Sequence, residues 1–207
     1  YIGLFDSLTG ISGMFLCYTI REFQDGYIGI APDPDWMQVH ANIPILKFQD
    51  GVTKEHATYA GEGIKQADVN LLSYPLKEVT DPKAIRKDLA YYETRVPNEG
   101  TPAMTQAVFT TLYARLGEGE KAYHWFKDAY LPNLLPPFRV IAETKGGTNP
   151  YFATGAGGIL QSILMGFGGL DITPQGLVQL KSALPGHWKS LTITGAGREK
   201  KTYIVRQ

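Results

Sequence analysis

The sequence holds a single cysteine, Cys17. One thiol excludes an internal disulfide and any zinc cluster built from cysteines. The charge balance is equally bare: 20 basic and 20 acidic side chains cancel. A neutral chain has no electrostatic ground for holding nucleic acid or an anionic membrane surface, so neither is expected as a partner. No uninterrupted apolar run reaches about 18 residues, which removes the pattern of a membrane-spanning helix. The four histidines, His40, His56, His124 and His187, stand far apart. They lack the short spacing of a metal-binding pair, and no metal or other cofactor is expected. No Gly-x-Ser-x-Gly turn is present, and Cys17 lies in an apolar stretch, so nucleophilic serine or cysteine chemistry has no support. Glycines follow Thr154 without the Lys-Ser/Thr of a phosphate-binding loop, which argues against nucleotides.

What remains is a core-forming chain. It has 207 residues, 43% of them hydrophobic, enough for one domain or one domain with part of another. Aromatic residues make up 12%; they suit stacking on sugar rings and suit a packed core at least as well. The chain starts at Tyr1 with no charged leader and apolar core. Its compartment stays open, periplasmic or extracellular included.

The N-terminal third is the least periodic. Met14 to Ile20 reads as a buried helix or a strand, and Gly26 to Gly29 and Pro32 to Asp35 as turns. Trp36 to His40 suits a short helical turn, and Asn42 to Phe48 an extended connector ending in an Asp50-Gly51 turn. Glu62 to Tyr74 has the clearest helical spacing, with Ile64, Ala67, Leu71 and Leu72 on one face and Pro75 as its stop. Asp68 falls in that apolar stripe, where a carboxylate needs a partner or a function. Asp81-Pro82 and Thr101-Pro102 each read as a cap followed by a first-turn proline. They open helices carrying Ile85, Leu89 and Tyr92, and Met104, Ala107, Val108, Thr111, Leu112 and Leu116. Gly117 ends the second, and Glu118 to Tyr130 forms another. Short links between them predict antiparallel neighbours. The prolines of Leu131 to Ile141 predict an extended crossing. After Leu170 the period changes, and Leu177 to Leu180, Lys189 to Thr194 and Lys201 to Val205 read as strands.

Chemistry concentrates in Glu143 to Gly158, one carboxylate followed by five glycines and a proline, ahead of an apolar helix expected from Ile159 to Phe167. Such a stretch reads as a loop that brings backbone N–H groups close to an oxygen-rich ligand. It reads also as tight packing of a loop on a helix. Lys65-Gln66 at a helix start offers three ammonium donors and an amide to sugar hydroxyls, or simply a solvated helix end.

Taken together these blocks resemble glycoside hydrolase family 65, whose members include acid trehalases, kojibiose hydrolases and several disaccharide phosphorylases. Ile64-Lys65-Gln66-Ala67-Asp68-Val69-Asn70-Leu71-Leu72 with Tyr74-Pro75 is similar to its signature. Asp88 to Tyr92, Gly100 to Thr105, Glu143 with Gly146 to Pro150, Thr154 to Gly158, and Gly166 to Leu170 follow in the family's order. The resemblance spans Trp36 to Leu170. It implies a mainly α chain: the C-terminal portion of an (α/α)6 barrel over residues 1–171, then the beginning of a small β-sandwich over 172–207. It implies an inverting α-glucosidase acting on trehalose- or kojibiose-type glucosides, with Glu143 as catalytic base. Lys65, Gln66, Thr154, Gly155, Gly157 and Gly158 then bind substrate. Phosphorylase members carry no carboxylate at the base position, and a carboxylate there repels phosphate, so the resemblance favours hydrolysis. A family 65 disaccharide phosphorylase and a non-catalytic helical sugar-binding module are the alternatives. The family's acid lies upstream of the Trp36 region. Glu22, Asp25 and Asp33 lack its neighbours, so the missing N-terminal portion of the same enzyme is the implied partner, beside the α-linked glucoside itself.

Overall fold

The computed structural model describes residues 34–97 and 101–207. The readings for Met14 to Ile20 and Gly26 to Gly29 lie outside them. Helices are the main regular element of the described chain, beside six short strands, compatible with part of the expected helical domain. It divides into two compact units, residues 34–62 with 68–91, and residues 63–67 with the described residues from 92 onward.

The described part of the first unit begins with helix α1 (Pro34–Asn42), longer than the single turn expected at Trp36 to His40. The connector after it pairs Lys47 with Thr53 around a turn at Gly51, where φ is 90°. Helix α2 (Asp68–Leu71) is one turn long, and this corrects the expected helix over Glu62 to Tyr74. The apolar spacing is real, since Ile64, Ala67 and Leu72 are buried. Burial there comes from the surroundings of an irregular chain, not from one helical face. Within this unit, Leu72, Leu76 and Val79 pack against Ala84 and Ile85 of helix α3 (Pro82–Tyr92). Asp81 caps α3 as its spacing predicts: its carboxylate accepts from the N–H of Lys83 at 3.2 Å and Ala84 at 3.3 Å. Asp88 of α3 accepts the Thr53 N–H at 2.8 Å.

The second unit is organised on helix α4 (Ala103–Arg115), nine of whose residues are buried. An element apolar all round must sit inside its unit, so α4 is a central helix and not the one-faced helix its stripe suggests. The proposed Thr101 cap is not made: Thr101 donates its hydroxyl to Pro97 O, and Pro102 occupies the cap position without a side-chain bond. Helix α5 (Gly119–Tyr130) packs beside α4 after a link turned by Gly117, where φ is 87°. Leu131 to Ile141 is not a crossing. A short 3-10 turn, Leu131–Asn133, leads into strand β1 (Leu134–Leu135), which reverses and pairs with β2 (Val140–Ile141). Prolines made this stretch look extended, and the return of the chain left no periodic trace.

The glycine run is also corrected. Helix α6 (Ala153–Gln161) starts six residues before Ile159 and continues as a π-helical segment, Ser162–Phe167. Glycine is a poor helix former, yet a Cβ at Gly155 would stand 3.0 Å from Ala103 Cβ, and one at Gly158 equally close to Ala107 Cβ. Two helices approach here closer than side chains allow. The apolar run beyond is only partly interior, since Leu160 is exposed while Phe167 is buried. Ser162 crosslinks the pair by donating to Ala107 O at 3.0 Å.

Arg115 ties the C-terminal end of α4 to the segment around Leu170. Its guanidinium donates to Met165 O and Leu170 O and lies 3.5 Å from the Asp171 carboxylate. Asp171 belongs to β3 (Leu170–Thr173), which pairs antiparallel with β4 (Gly176–Gln179). A second hairpin joins β5 (Ser190–Ala196) to β6 (Lys201–Arg206). The strands expected near 177, 189 and 201 are therefore present, and β3 was not foreseen. Edge-on contacts from Phe126 to Phe167 and from Tyr123 to Trp188 fill the space between α5 and these segments. The buried Tyr92, Phe109, Tyr113 and Phe167 show where much of the aromatic content goes.

Candidate active site

Lys65 and Glu143 meet. Lys65 Nζ lies 3.2 Å from Glu143 Oε1, across 78 residues of sequence. The lysine side chain is 63% exposed and the glutamate 35% exposed. An ion pair this wet contributes little to stability. It does place a carboxylate and a flexible three-donor cation at one point on the surface. Lys65 also borders a recess of about 640 Å³, lined by residues 63–65 and 94–97. The chain between Glu143 and α6 is a surface loop that turns at Gly146, where φ is 70°, and again at Tyr151, where φ is 62°.

The other sequence-predicted residues separate into two groups. Gly155 and Gly158 face α4 and serve the close helix packing. Thr154 and Gly157 are exposed, and nothing lies within 4 Å of where a Gly157 Cβ would stand. These two, on the first turns of α6, are the part of the glycine run open to a ligand. Gln66 is half-buried next to Lys65.

What holds the pair was missed from sequence. Thr105 of α4 donates its hydroxyl to Lys65 O at 2.9 Å. The Ala103 N–H at the start of α4 donates to Glu143 O at 3.0 Å. Asn133 extends its amide to the same carbonyl at 3.1 Å and to Ala142 O at 3.3 Å. Pro102 and Thr144 form a bridge alongside. Thr105 offered one clue, a polar residue at a buried place in an apolar helix. Asn133 offered none.

A different carboxylate setting occurs in the first unit. Burial pushes Asp68 up to about 6. Burial, then the charge of Asp68, pushes Glu55 up to about 7. Among the described residues no group of three or more His, Cys, Asp or Glu could hold a metal ion, and no helix is long and apolar enough to cross a membrane.

Known proteins supply a family for the chain. Residues 42–136 match the model of the glycosyl hydrolase family 65 central catalytic domain. A kojibiose hydrolase of Mucilaginibacter mallensis is 74% identical over 179 residues, 86% of this chain and 26% of that protein. The chain belongs to glycoside hydrolase family 65. A second kojibiose hydrolase of the family, from Flavobacterium johnsoniae, is 58% identical with the same coverage. An acid trehalase of Emericella nidulans is 34% identical over 76% of this chain and 16% of its own length. The chain thus spans about a quarter of the length of the kojibiose hydrolases it matches.

Proposed function

We propose that this family 65 chain is part of an inverting α-glucoside hydrolase of the kojibiose or trehalose type. It would supply the later portion of an (α/α)6 barrel over residues 1–171 and the start of a β domain over 172–207. The observation that carries the reading is the Lys65–Glu143 contact, a carboxylate and a sugar-binding cation from distant segments at one surface point. The kojibiose hydrolases at 74% and 58% identity favour an α-linked glucose disaccharide as substrate.

In this reading Glu143 takes a proton from water on the face opposite the leaving group. The oxygen bonds to the anomeric carbon as the glycosidic bond breaks, and an acid from the rest of the enzyme protonates the departing oxygen. The two carboxyl groups of such a pair stand about 6.5–9.5 Å apart, leaving room for the water. Lys65 has three N–H donors; one faces Glu143, and the others are available to hydroxyls of the glucosyl unit. Gln66 and the open face of α6 at Thr154 and Gly157 would complete the sugar contacts.

The test is digestion of kojibiose and trehalose by the full-length polypeptide carrying this sequence, with and without phosphate. Hydrolysis predicts two glucose molecules, one released as the β-anomer, at a rate indifferent to phosphate. Glucose 1-phosphate formed only with phosphate would establish the phosphorylase instead, and absence of turnover would favour a sugar-binding module. The isolated 207-residue chain should hydrolyse little, because it lacks a matched acid.

A further inference from the structure

The Lys65 side chain is mostly in solvent and the Glu143 side chain is about a third exposed, so side-chain packing alone does not fix the pair. Their placement depends on the backbone at each residue. At both positions the backbone carbonyl is held by a buried polar side chain from another element. Thr105 is 1% exposed and Asn133 is 2% exposed. A threonine in a helix ordinarily returns its hydroxyl to the carbonyl four residues back. Thr110 and Thr111 of the same helix do this, donating to Gln106 O and Ala107 O. Thr105, in the first turn, has no helical carbonyl four residues back, and it donates out of the helix to Lys65 O, 40 residues away in sequence. Asn133 spends its amide N–H groups on two successive carbonyls, Ala142 O and Glu143 O, so it fixes the peptide plane from which the glutamate side chain departs.

We propose that Thr105 and Asn133 are positioning residues of the site, Thr105 acting through Lys65 and Asn133 through Glu143. The proposal rests on the reading of Glu143 as base and Lys65 as sugar-binding residue. It assigns the two residues different kinetic consequences. Loss of the Thr105 hydroxyl loosens a binding group and weakens substrate capture. Loss of the Asn133 amide lets the base drift, which slows the chemical step. A buried polar group with a structural role alone lowers stability, and the inactive unfolded fraction then lowers apparent kcat without moving KM, so kcat is taken per folded molecule at a temperature well below each variant's melting transition.

The experiment uses the full-length enzyme containing this sequence and measures kcat and KM on kojibiose, with melting temperature as a folding control. Thr105→Val keeps the shape and removes the hydroxyl; KM should rise about tenfold with kcat within twofold. Thr105→Ser should restore KM. Asn133→Asp keeps the shape and removes the donor; kcat should fall about tenfold with KM within twofold. If Asn133→Asp does not fold, Asn133→Ser, smaller and still a donor, takes its place and should lower kcat less, again without moving KM. Equal changes in both constants, or a KM shift in Thr105→Ser as large as in Thr105→Val, would overturn the proposal. Glu143→Gln is measured alongside. If it keeps turnover, the base assignment fails and the positioning roles fail with it. If it is inactive while the split is absent, only the positioning roles fail.

Discussion

Glu143 and the pair Glu55 and Asp68 are carboxylates in opposite settings. Glu143 stands at a surface beside an ammonium, with its backbone held by Ala103 and Asn133. Glu55 and Asp68 are drawn out of water, and each takes up protons at higher pH than an exposed carboxylate would. The first arrangement keeps a carboxylate accessible, as the proposed role in activating water requires. The second links the fold to pH. In the proposed reading, burial by itself does not point to the base; the cation beside Glu143 and its backbone anchors do.

The sharpest way to break this comparison is to neutralise both settings in the full-length enzyme. Glu143→Gln should lower kcat roughly a thousandfold, within the range for loss of a general base. Glu55→Gln should leave kcat within twofold. Comparable losses would mean that the wrong carboxylate carries the reaction. A third carboxylate tests the role of a cation partner. Arg115→Met leaves Asp171, only 10% exposed, without its guanidinium. Breaking such a buried pair costs about 3 kcal/mol, readable by chemical denaturation. Lys65→Met removes the cation from the exposed pair. Stability should change by less than about 1 kcal/mol, while KM for kojibiose rises about tenfold. A stability loss matching that of Arg115→Met would show the surface pair to be structural.

The smallest effect concerns pH. Glu55 and Asp68 hold protons more tightly in the folded chain than in the unfolded one. Between about pH 4 and 7 the folded state therefore binds more protons, and their contribution to stability falls as pH rises through that window. It is fully present below the unfolded values and gone above about 7. Melting temperatures across this range should decline more steeply for the native sequence than for Glu55→Gln. Parallel curves would remove Glu55 from the account.

Much of the helical framework was legible because its cues are local. Asp81-Pro82 announces α3, and Gly117 marks the break between α4 and α5. The failures have a common cause, tertiary contact overriding local pattern. Ile64 and Leu72 are spaced like a helical stripe, but the Ile64 N–H goes to Arg95 O, and the chain is tied down before a helix can propagate. Gly155 and Gly158 looked like loop because glycine disfavours helix; they are helical because Ala103 and Ala107 press against them. Lys65 and Glu143 could be nominated from residue type and family resemblance. Their contact could not, since nothing local relates positions 78 residues apart. Asn133 acts only through carbonyls, which every residue has, so its contribution is visible only in three dimensions.

The first turn of α4 closes two long loops at once, about forty residues back to Lys65 and about forty forward to Glu143. The site therefore has no independent existence as a local motif and forms only when both closures are complete. One backbone amide reports the second closure. The Ala103 N–H is sequestered while it bonds to Glu143 O, so its hydrogen exchange counts the openings that carry the glutamate away from the helix. Its protection factor becomes a direct reading of how often the Glu143 segment is docked on the helix.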